Sequence, residues 1–179
     1  GFEPGAHVDV LVGPDLVRQY SLCSDPARTD RYRLGILLDP ASRGGSAAIH
    51  AGFREGDRIR IGVPRNNFPL AAGNATSVLL GGGIGITPLL AMAHAIDAAG
   101  RPFALHYCAR SRGKAAFLEE LAAAPYARHV TLHFDDEAAA QRLDPARDLP
   151  DPAGGAHLYI CGPTGFMDWL IAAARTRGY

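Results

Sequence analysis

The chain has 179 residues, 47% of them hydrophobic and 20% charged, which excludes a disordered protein and accommodates one ordinary domain or two small ones. Its 18 basic side chains are balanced by 18 acidic ones, with no long run of either sign, so neither nucleic acid nor a membrane surface is an expected partner. No apolar stretch reaches the roughly 18 residues that a membrane-spanning helix needs.

The cysteines and histidines show no metal-binding spacing. Cys23, Cys108 and Cys161 lie far apart without a C-x-x-C, which argues against a zinc ribbon or a four-cysteine cluster. The seven histidines contain no H-E-x-x-H, so no metal site is predicted. An odd number of widely spaced cysteines is typical of the reducing cytoplasm, where we expect this protein.

The first 63 residues have the pattern of a β domain. Hydrophobic alternation on both sides of the turn signal Gly13-Pro14-Asp15 predicts a hairpin. A short helix is predicted over 46–53, with Ser46 as its N-cap. The predicted strands of this domain cover 7–12, 16–22, 32–38 and 58–61.

From Thr76 the pattern changes to alternating strands and helices. Val78-Leu79-Leu80 is a continuous apolar run, typical of a strand buried on both faces, and a glycine-rich turn leads from it into a helix over 88–99. Such alternation predicts a doubly wound parallel sheet. Later strands are predicted over 103–108, 129–134 and 156–161, later helices over 114–123 and 165–177, and a loop over 135–155.

The two patterns predict two domains. Pro, Asn and Gly are concentrated over 64–75, as expected of a link between them. We therefore expect a β domain over 1–70 followed by an α/β domain over 71–179. Four or five strands in so short a β domain make a small core with exposed edges, unless the second domain or further strands cover them.

The strongest local signal is the segment Gly81-Gly82-Gly83-Ile84-Gly85-Ile86-Thr87-Pro88, between a buried strand and a helix. Glycine lets the backbone approach a ligand, and a helix N-terminus favours an anion such as a pyrophosphate. The segment is not a G-x-G-x-x-G, because proline stands at the third glycine position. A glycine-rich turn that binds no ligand is the alternative.

Two segments of the β domain are candidates for phosphate binding. In the strand Arg18-Gln19-Tyr20-Ser21, Arg18 and Tyr20 share one face, where a guanidinium and a phenol can hold a phosphate and a planar ring. Arg43-Gly44-Gly45-Ser46 opens the short helix and offers backbone N–H groups and a hydroxyl. An ordinary surface strand and a simple helix cap are the alternatives.

Two further segments follow strands of the α/β domain. Cys161-Gly162-Pro163 ends the last strand, and ligands of open α/β sheets bind beyond the carboxyl ends of strands, on the same edge as the glycine-rich turn. Arg110-Ser111-Arg112 and Lys114 follow the strand that ends at Cys108 and are candidates for contacts with a nucleotide ribose. A buried structural cysteine and a solvated loop are the alternatives.

Taken in order, these segments resemble the ferredoxin–NADP reductase superfamily, and within it the group of phthalate dioxygenase reductase and vanillate O-demethylase reductase. The strand 18–22 matches that group's flavin-binding R-x-Y-S strand, and 43–46 matches its flavin-phosphate turn. The segments 81–88, 106–111 and 161–163 match its nicotinamide-nucleotide turn, second nucleotide-domain strand and C-G-P segment. The resemblance covers essentially the whole chain and implies a partial antiparallel flavin-binding β-barrel followed by a doubly wound nucleotide-binding domain.

The resemblance also implies hydride transfer from NAD(P)H to a flavin, which then releases electrons one at a time. Ser21, Thr87 and Cys161 would lie at the reacting centre, with Ser21 near the flavin N5. Arg18 would hold the flavin phosphate. The implied cofactor-binding residues are Arg18, Tyr20, Ser21, Arg43, Gly44, Gly45, Ser46, Gly82, Gly83, Gly85, Thr87, Pro88, Arg110, Ser111, Cys161, Gly162 and Pro163.

FMN and NADH are the cofactors that the resemblance implies, with FAD open and NADPH open because Ser111, Arg112 and Lys114 suit a 2′-phosphate. Full members of the group have further barrel strands upstream and a C-terminal 2Fe–2S domain. This sequence has no C-x4-C-x2-C, so we expect a fragment or a reductase with a separate iron–sulfur partner serving a terminal oxygenase. A stand-alone diaphorase and a non-catalytic nucleotide-binding fragment are the alternatives.

Overall fold

The computed structural model describes residues 1–179 and contains two separate sheets. The first is an antiparallel hairpin of β1 (His7–Gly13) and β2 (Leu16–Ser21), in which His7 faces Ser21 and Val10 faces Arg18. It is followed by the helix α1 (Gly45–Gly52). The hairpin turns where the Gly-Pro-Asp signal predicted.

The second sheet is parallel and has helices between its strands. Its strand order is β5-β4-β3-β6, so the chain runs outward from β3 and then returns to the other side of that strand. The strands are β3 (Ser77–Gly82), β4 (Phe103–Ala109), β5 (Val130–Phe134) and β6 (His157–Cys161), and the helices are α2 (Ile86–Ala98), α3 (Leu118–Ala123), α4 (Pro145–Asp148) and α5 (Thr164–Thr176).

Hydrophobic cores lie on both faces of this sheet. Leu79 belongs to the larger cluster with α2 and α3, whereas Val78 and Leu80 belong to a second cluster with α5. Alternate residues of β3 therefore face opposite cores, which explains why its sequence is a continuous apolar run. The predicted doubly wound sheet is confirmed.

Two predicted strands of the β domain are wrong. The stretch 32–38 makes one bridge, from Leu34 to Leu22, and 58–61 makes one bridge, from Ile61 to Val10. Single backbone hydrogen bonds still tie the second stretch to β1, among them Leu11 N–H to the Arg60 carbonyl at 3.0 Å. Alternation reports a half-buried surface, but a strand also needs a continuous partner, which neither stretch has.

Three predicted element boundaries also need correction. Gly44, in the left-handed region at φ 87°, is the N-cap of α1, while Ser46 lies inside the first turn and its hydroxyl accepts from the Asp39 N–H at 3.4 Å. The helix predicted over 114–123 begins only at Leu118. The loop predicted over 135–155 contains α4 and two single turns of 3-10 helix.

The larger core extends beyond the parallel sheet into the N-terminal part of the chain. Cys23 is fully buried and packs in the same cluster as Leu79 and Leu121. An added Cβ at Gly35 would lie 2.7 Å from Thr87 Cγ2, so the segment after β2 touches the first turn of α2. No helix combines the length and the apolar character that crossing a membrane requires.

Candidate functional site

Two glycine-containing turns meet where the order of the parallel strands reverses. β3 ends at Gly82 and the neighbouring β6 ends at Cys161. A Cβ added to Gly85 would lie 2.3 Å from the Cys161 carbonyl oxygen, and one added to Gly162 would lie 3.0 Å from the Cα of Gly82. The contact between two backbones thus accounts for these glycines even without a ligand.

The rest of the glycine-rich turn is shaped for an open position in front of α2. Gly83 has φ +54°, and a Cβ added there would meet no atom within 4 Å. The buried Thr87 donates its hydroxyl hydrogen to the Ile84 carbonyl at 3.0 Å, which holds the turn in place. Because α2 starts at Ile86, its N-terminus follows this turn directly, and a helix N-terminus favours an anion.

A cavity of about 330 Å³ lies between the hairpin and the switch point of the sheet. That volume is within the range of about 300–1,000 Å³ that is typical of ligand pockets. It brings together Ser21, Pro88 and Cys161, which are distant in sequence. The complete lining is Gly5, His7, Gln19, Ser21, Asn67, Phe68, Pro88, Ile160 and Cys161.

Several lining residues were not singled out by sequence analysis. His7 faces Ser21 in the hairpin register, and Gln19 shares the Ser21 face of β2. The sequence contained a signal for these two residues. The hairpin turn fixes which residues of the two strands are opposite each other, and alternation then places His7 and Gln19 on the same face as Ser21. Asn67, Phe68 and Ile160 had none, since only the packing of distant parts of the chain brings them here.

His7 carries an unsatisfied polar atom at this cavity. Its Nε2 is buried and has no hydrogen-bond partner. A buried polar group without a partner costs about 1–3 kcal/mol, and His7 is one of six residues of the chain with such an atom. The cavity is thus lined by the polar residues His7, Gln19 and Ser21 beside the apolar Phe68, a mixture that is typical of small-molecule sites.

The two candidate phosphate-binding segments of the β domain are in contact. The Arg18 guanidinium donates to the Arg43 carbonyl at 2.9 Å and to the Val17 carbonyl at 2.8 Å. A Cβ added to Gly45 would lie 2.5 Å from Arg18 Nε, so only glycine allows this approach. The guanidinium therefore lies at the N-terminus of α1, where its remaining N–H groups and the helix dipole both favour an anion.

The other residues of these segments differ in exposure. Arg43 and Gly44 are exposed, whereas Ser46 is buried and bonded to Asp39. Tyr20 packs against the small core that contains Val8. Burial raises the pKa of the Tyr20 phenol, with the positive charge of Arg18 acting in the opposite sense, so this side chain is neutral and keeps its O–H at neutral pH.

Cys161 is a half-buried thiol at the wall of the cavity. Burial raises the pKa of the Cys161 thiol, and no neighbouring cation lowers it again. The side chain is therefore an uncharged thiol at neutral pH and not an activated nucleophile. Pro163, two residues further, is the N-cap of α5, and its carbonyl accepts from the Met167 N–H at 3.0 Å.

Arg110 and Ser111 lie along the same edge of the sheet, beyond the end of β4, and do not line the cavity. Their backbone is held by the Asp136 N–H, which donates to the Arg110 carbonyl at 3.3 Å. The neighbouring Arg112 pairs with Glu137 at 3.1 Å and covers the Phe134 ring. This edge therefore carries charges of both signs.

The chain matches the family model described as oxidoreductase NAD-binding domain over residues 79–170. It is 48% identical to the vanillate O-demethylase oxidoreductase of Pseudomonas putida over 99% of this chain and 56% of that protein. The chain thus spans about half the length of the curated relatives it matches.

Solved structures give the same result. Phthalate dioxygenase reductase, described as a modular structure for electron transfer from pyridine nucleotides to [2Fe–2S], superposes with a TM-score of 0.87 at 36% identity, over 97% of this chain and 55% of that one. An intact type IV self-sufficient cytochrome P450 monooxygenase gives 0.88 at 39% identity, over 97% of this chain and 22% of that one. These matches confirm the resemblance to the phthalate dioxygenase reductase and vanillate O-demethylase reductase group that sequence analysis identified.

Proposed function

This chain belongs to the family of oxidoreductase NAD-binding domains, and from that premise we propose that it is the flavin- and nucleotide-binding part of an NADH-dependent reductase. The observation that carries the proposal is the cavity in which Ser21 of the hairpin meets Pro88 and Cys161 of the nucleotide-binding domain. A reductase of this kind needs one site shared by two cofactors, each bound by a different domain.

We propose FMN as the flavin. Arg18 and the N-terminus of α1 would hold its phosphate, with Gly45 leaving room for the guanidinium. Tyr20 and Ser21 would contact the ring system, and His7 would supply a polar contact from the opposite strand. When bound, the flavin accepts a hydride from reduced nicotinamide and passes its electrons on singly.

The nucleotide would bind across the switch point. The open position at Gly83 and the N-terminus of α2 suit its pyrophosphate, and Thr87 keeps that turn rigid. Cys161 and Pro88 line the cavity, where they would shield the reacting face from water. The neutral thiol of Cys161 adds no charge there, so it positions the ring without competing as a nucleophile.

We favour NADH over NADPH because of the charges beyond β4. Of the cations at this edge, Arg112 is already paired with Glu137, whereas Arg110 and Lys114 are exposed and have no ion pair. Asp135 and Asp136 also lie at this edge, with their backbone bonded to the end of β4. The two carboxylates suit the ribose hydroxyls of NADH better than a phosphate.

The proposed electron acceptor is an iron–sulfur protein or domain that serves a terminal oxygenase. The support is the name of the relatives: vanillate O-demethylase oxidoreductase in one case and a reductase with electron transfer to [2Fe–2S] in the other. We propose the cytoplasm as the compartment, since all three cysteines are free.

The test is the visible spectrum of the purified protein after FMN has been added and the excess removed. Retained flavin absorbance followed by its bleaching on anaerobic addition of NADH would support the reductase. FMN and NADH without protein are the control for direct reduction. A folded protein that retains no flavin would contradict the proposal and leave a nucleotide-binding unit only.

A further inference from the structure

Three metal-ligating side chains meet on the face of the parallel sheet that carries α5, away from the cavity. They are His106 of β4, His133 of β5 and Asp148 at the end of α4. One potential ligand atom of each lies within 4.8 Å of those of the other two. Both imidazoles are buried, and the Asp148 side chain is only 11% exposed.

The sequence explains why the two histidines meet. β4 and β5 are parallel neighbours, with His106 facing Thr131 and Cys108 facing His133 in the register. His106 and Cys108 are two residues apart and so share one face of the strand. His106 and His133 are therefore on the same face of adjacent strands, although they are 27 positions apart in the sequence.

The hydrogen bonds of His133 leave one nitrogen free to ligate. Its Nδ1 lies 2.9 Å from the Gln141 carbonyl oxygen, which can only accept, so Nδ1 carries the hydrogen and Nε2 has a lone pair. A backbone carbonyl that fixes the tautomer in this way is the usual outer partner of a metal-bound histidine. The Nε2 atom points towards His106 Nδ1, at 3.0 Å.

We propose that His106, His133 and Asp148 form a binding site for a divalent transition-metal ion of the zinc type. Two imidazole nitrogens and one carboxylate are a frequent zinc ligand set, with water in the fourth position. In the metal-free state His106 Nδ1–H donates to His133 Nε2. In the metal-bound state His106 adopts its other tautomer, so that both lone pairs face the ion and no net proton is released.

The two imidazole nitrogens are spaced almost as a metal requires, and the Asp148 oxygen, within 4.8 Å of them, would move closer on binding. Two nitrogens bound to one tetrahedral zinc at its usual bond length lie about 3.3 Å apart, a few tenths of an ångström more than the present spacing. Asp148 is held by Arg147 through contacts of 2.8 Å on both oxygens and by the Asp144 N–H. Oδ2 accepts two of these bonds and Oδ1 only one, so the second lone pair of Oδ1 can ligate while Asp148 keeps its partners.

The role that follows is structural. Asp148 and Gln141 belong to the long connection between β5 and β6, whereas both histidines belong to the sheet. An ion at this position would fasten the connection to the sheet. It would therefore raise thermal stability without taking part in the chemistry at the cavity. A chain that binds no zinc would still be expected to have the proposed reductase activity.

The experiment uses the full chain without an affinity tag, stripped with a chelator and titrated with zinc chloride alone. We expect one zinc ion per chain and a melting temperature higher by about 5–10 °C at a hundredfold excess over the dissociation constant. His133→Gln and Asp148→Asn should each reduce zinc affinity by at least roughly tenfold, since even outer partners of metal ligands contribute that much. His157→Gln, which removes an exposed imidazole of the same sheet, should change neither quantity.

Circular dichroism establishes that each variant is folded. If His133→Gln does not fold, Asp148→Asn decides the result, since that isosteric change leaves the histidine pair intact. Absence of stoichiometric zinc would overturn the proposal. So would a zinc affinity that Asp148→Asn leaves unchanged, or one that His157→Gln abolishes, because either would place the ion elsewhere on the surface.

Discussion

Arg18 is the side chain on which the proposed phosphate site depends. Two of its five N–H groups are used by the Val17 and Arg43 carbonyls, which leaves three N–H groups for a phosphate. We expect Arg18→Ala to weaken FMN binding by about 10–100-fold, the loss of one charge-assisted contact worth about 1.5–3 kcal/mol. Titration of FMN fluorescence would measure the dissociation constant.

The FMN affinity of Arg18→Lys should lie between those of the wild type and of Arg18→Ala, because lysine keeps the charge but not the planar donor set. Arg58→Ala is the matched control, since Arg58 is an exposed arginine of the same domain that does not line the cavity. Equal flavin affinity in the wild type and Arg18→Ala would refute the assignment of the phosphate to this side chain.

His7 is predicted to have opposite effects on stability and on binding. Its buried Nε2 has no partner, so His7→Leu removes an unsatisfied polar atom and should raise the free energy of unfolding of the flavin-free protein by about 1 kcal/mol. The same change removes a polar contact from the cavity and should lower FMN affinity. Urea unfolding and FMN titration of the same variant would measure both quantities.

A matched variant for His7 is Gln19→Leu, which changes a polar residue of the same cavity wall that already has a partner. Gln19 donates to the Asp9 carboxylate at 3.1 Å, so its replacement should lower stability or leave it unchanged. A destabilised His7→Leu protein would mean that Nε2 is satisfied in solution and that the orphaned nitrogen is no sign of a ligand.

The element that best separates packing from ligand binding is the turn between β3 and α2. A Cβ on Gly85 would collide with the backbone of Cys161 and Gly162, which cannot move aside as a flexible side chain can. We expect Gly85→Ala to destabilise the fold by about 3 kcal/mol, the upper end of overpacking effects. Thermal unfolding monitored by circular dichroism would measure the loss.

Gly165→Ala is the control for that change. Gly165 lies in the first turn of α5, and a Cβ there would meet no atom within 4 Å. Alanine is the better helix former by about 1 kcal/mol, so this variant should be as stable as the wild type or more so. If Gly85→Ala were equally stable, the close approach of the two turns would not exist in solution.

The elements that could be predicted from the sequence are those with local causes. β3 and α2 follow from a continuous apolar run and the glycine turn after it, and both were located within two residues. The stretches 32–38 and 58–61 alternate as strands do, yet each finds only one bridging partner. Whether an alternating stretch forms a strand depends on a pairing partner elsewhere in the chain, and the local pattern carries no information about that partner.

The same limit applies to the site at the scale of the whole molecule. Ser21 and Cys161 could be singled out by motif, but the cavity between them forms only when the hairpin docks on the switch point. Phe68 and Asn67 belong to the segment that appeared as a linker, because Pro, Asn and Gly favour irregular structure whether or not it is buried. Composition predicted that this segment is irregular, but not that it packs against the cavity.

The core that joins the two parts of the chain leads to a prediction about alkaline pH. Cys23 is fully buried among residues of the nucleotide-binding domain. Burial raises its pKa to about 11 from an ordinary value of 9.0, with Arg33 lowering it slightly. The folded chain therefore holds the thiol proton after the unfolded chain has lost it, so stability is unaffected below pH 9 and falls as the pH rises towards 11.

We expect the free energy of unfolding to fall by about 1 kcal/mol between pH 8 and pH 10 through Cys23 alone. Urea unfolding of the wild type and of Cys23→Ala at both pH values would measure this change. The variant should be less stable than the wild type at pH 8, but its free energy of unfolding should fall by about 1 kcal/mol less on going to pH 10. Ile96→Val, which removes one methylene from the same cluster, should lose stability and keep the wild-type pH dependence. If Cys23→Ala also kept the wild-type pH dependence, the thiol would be accessible to water, and the two parts of the chain would not share a closed core.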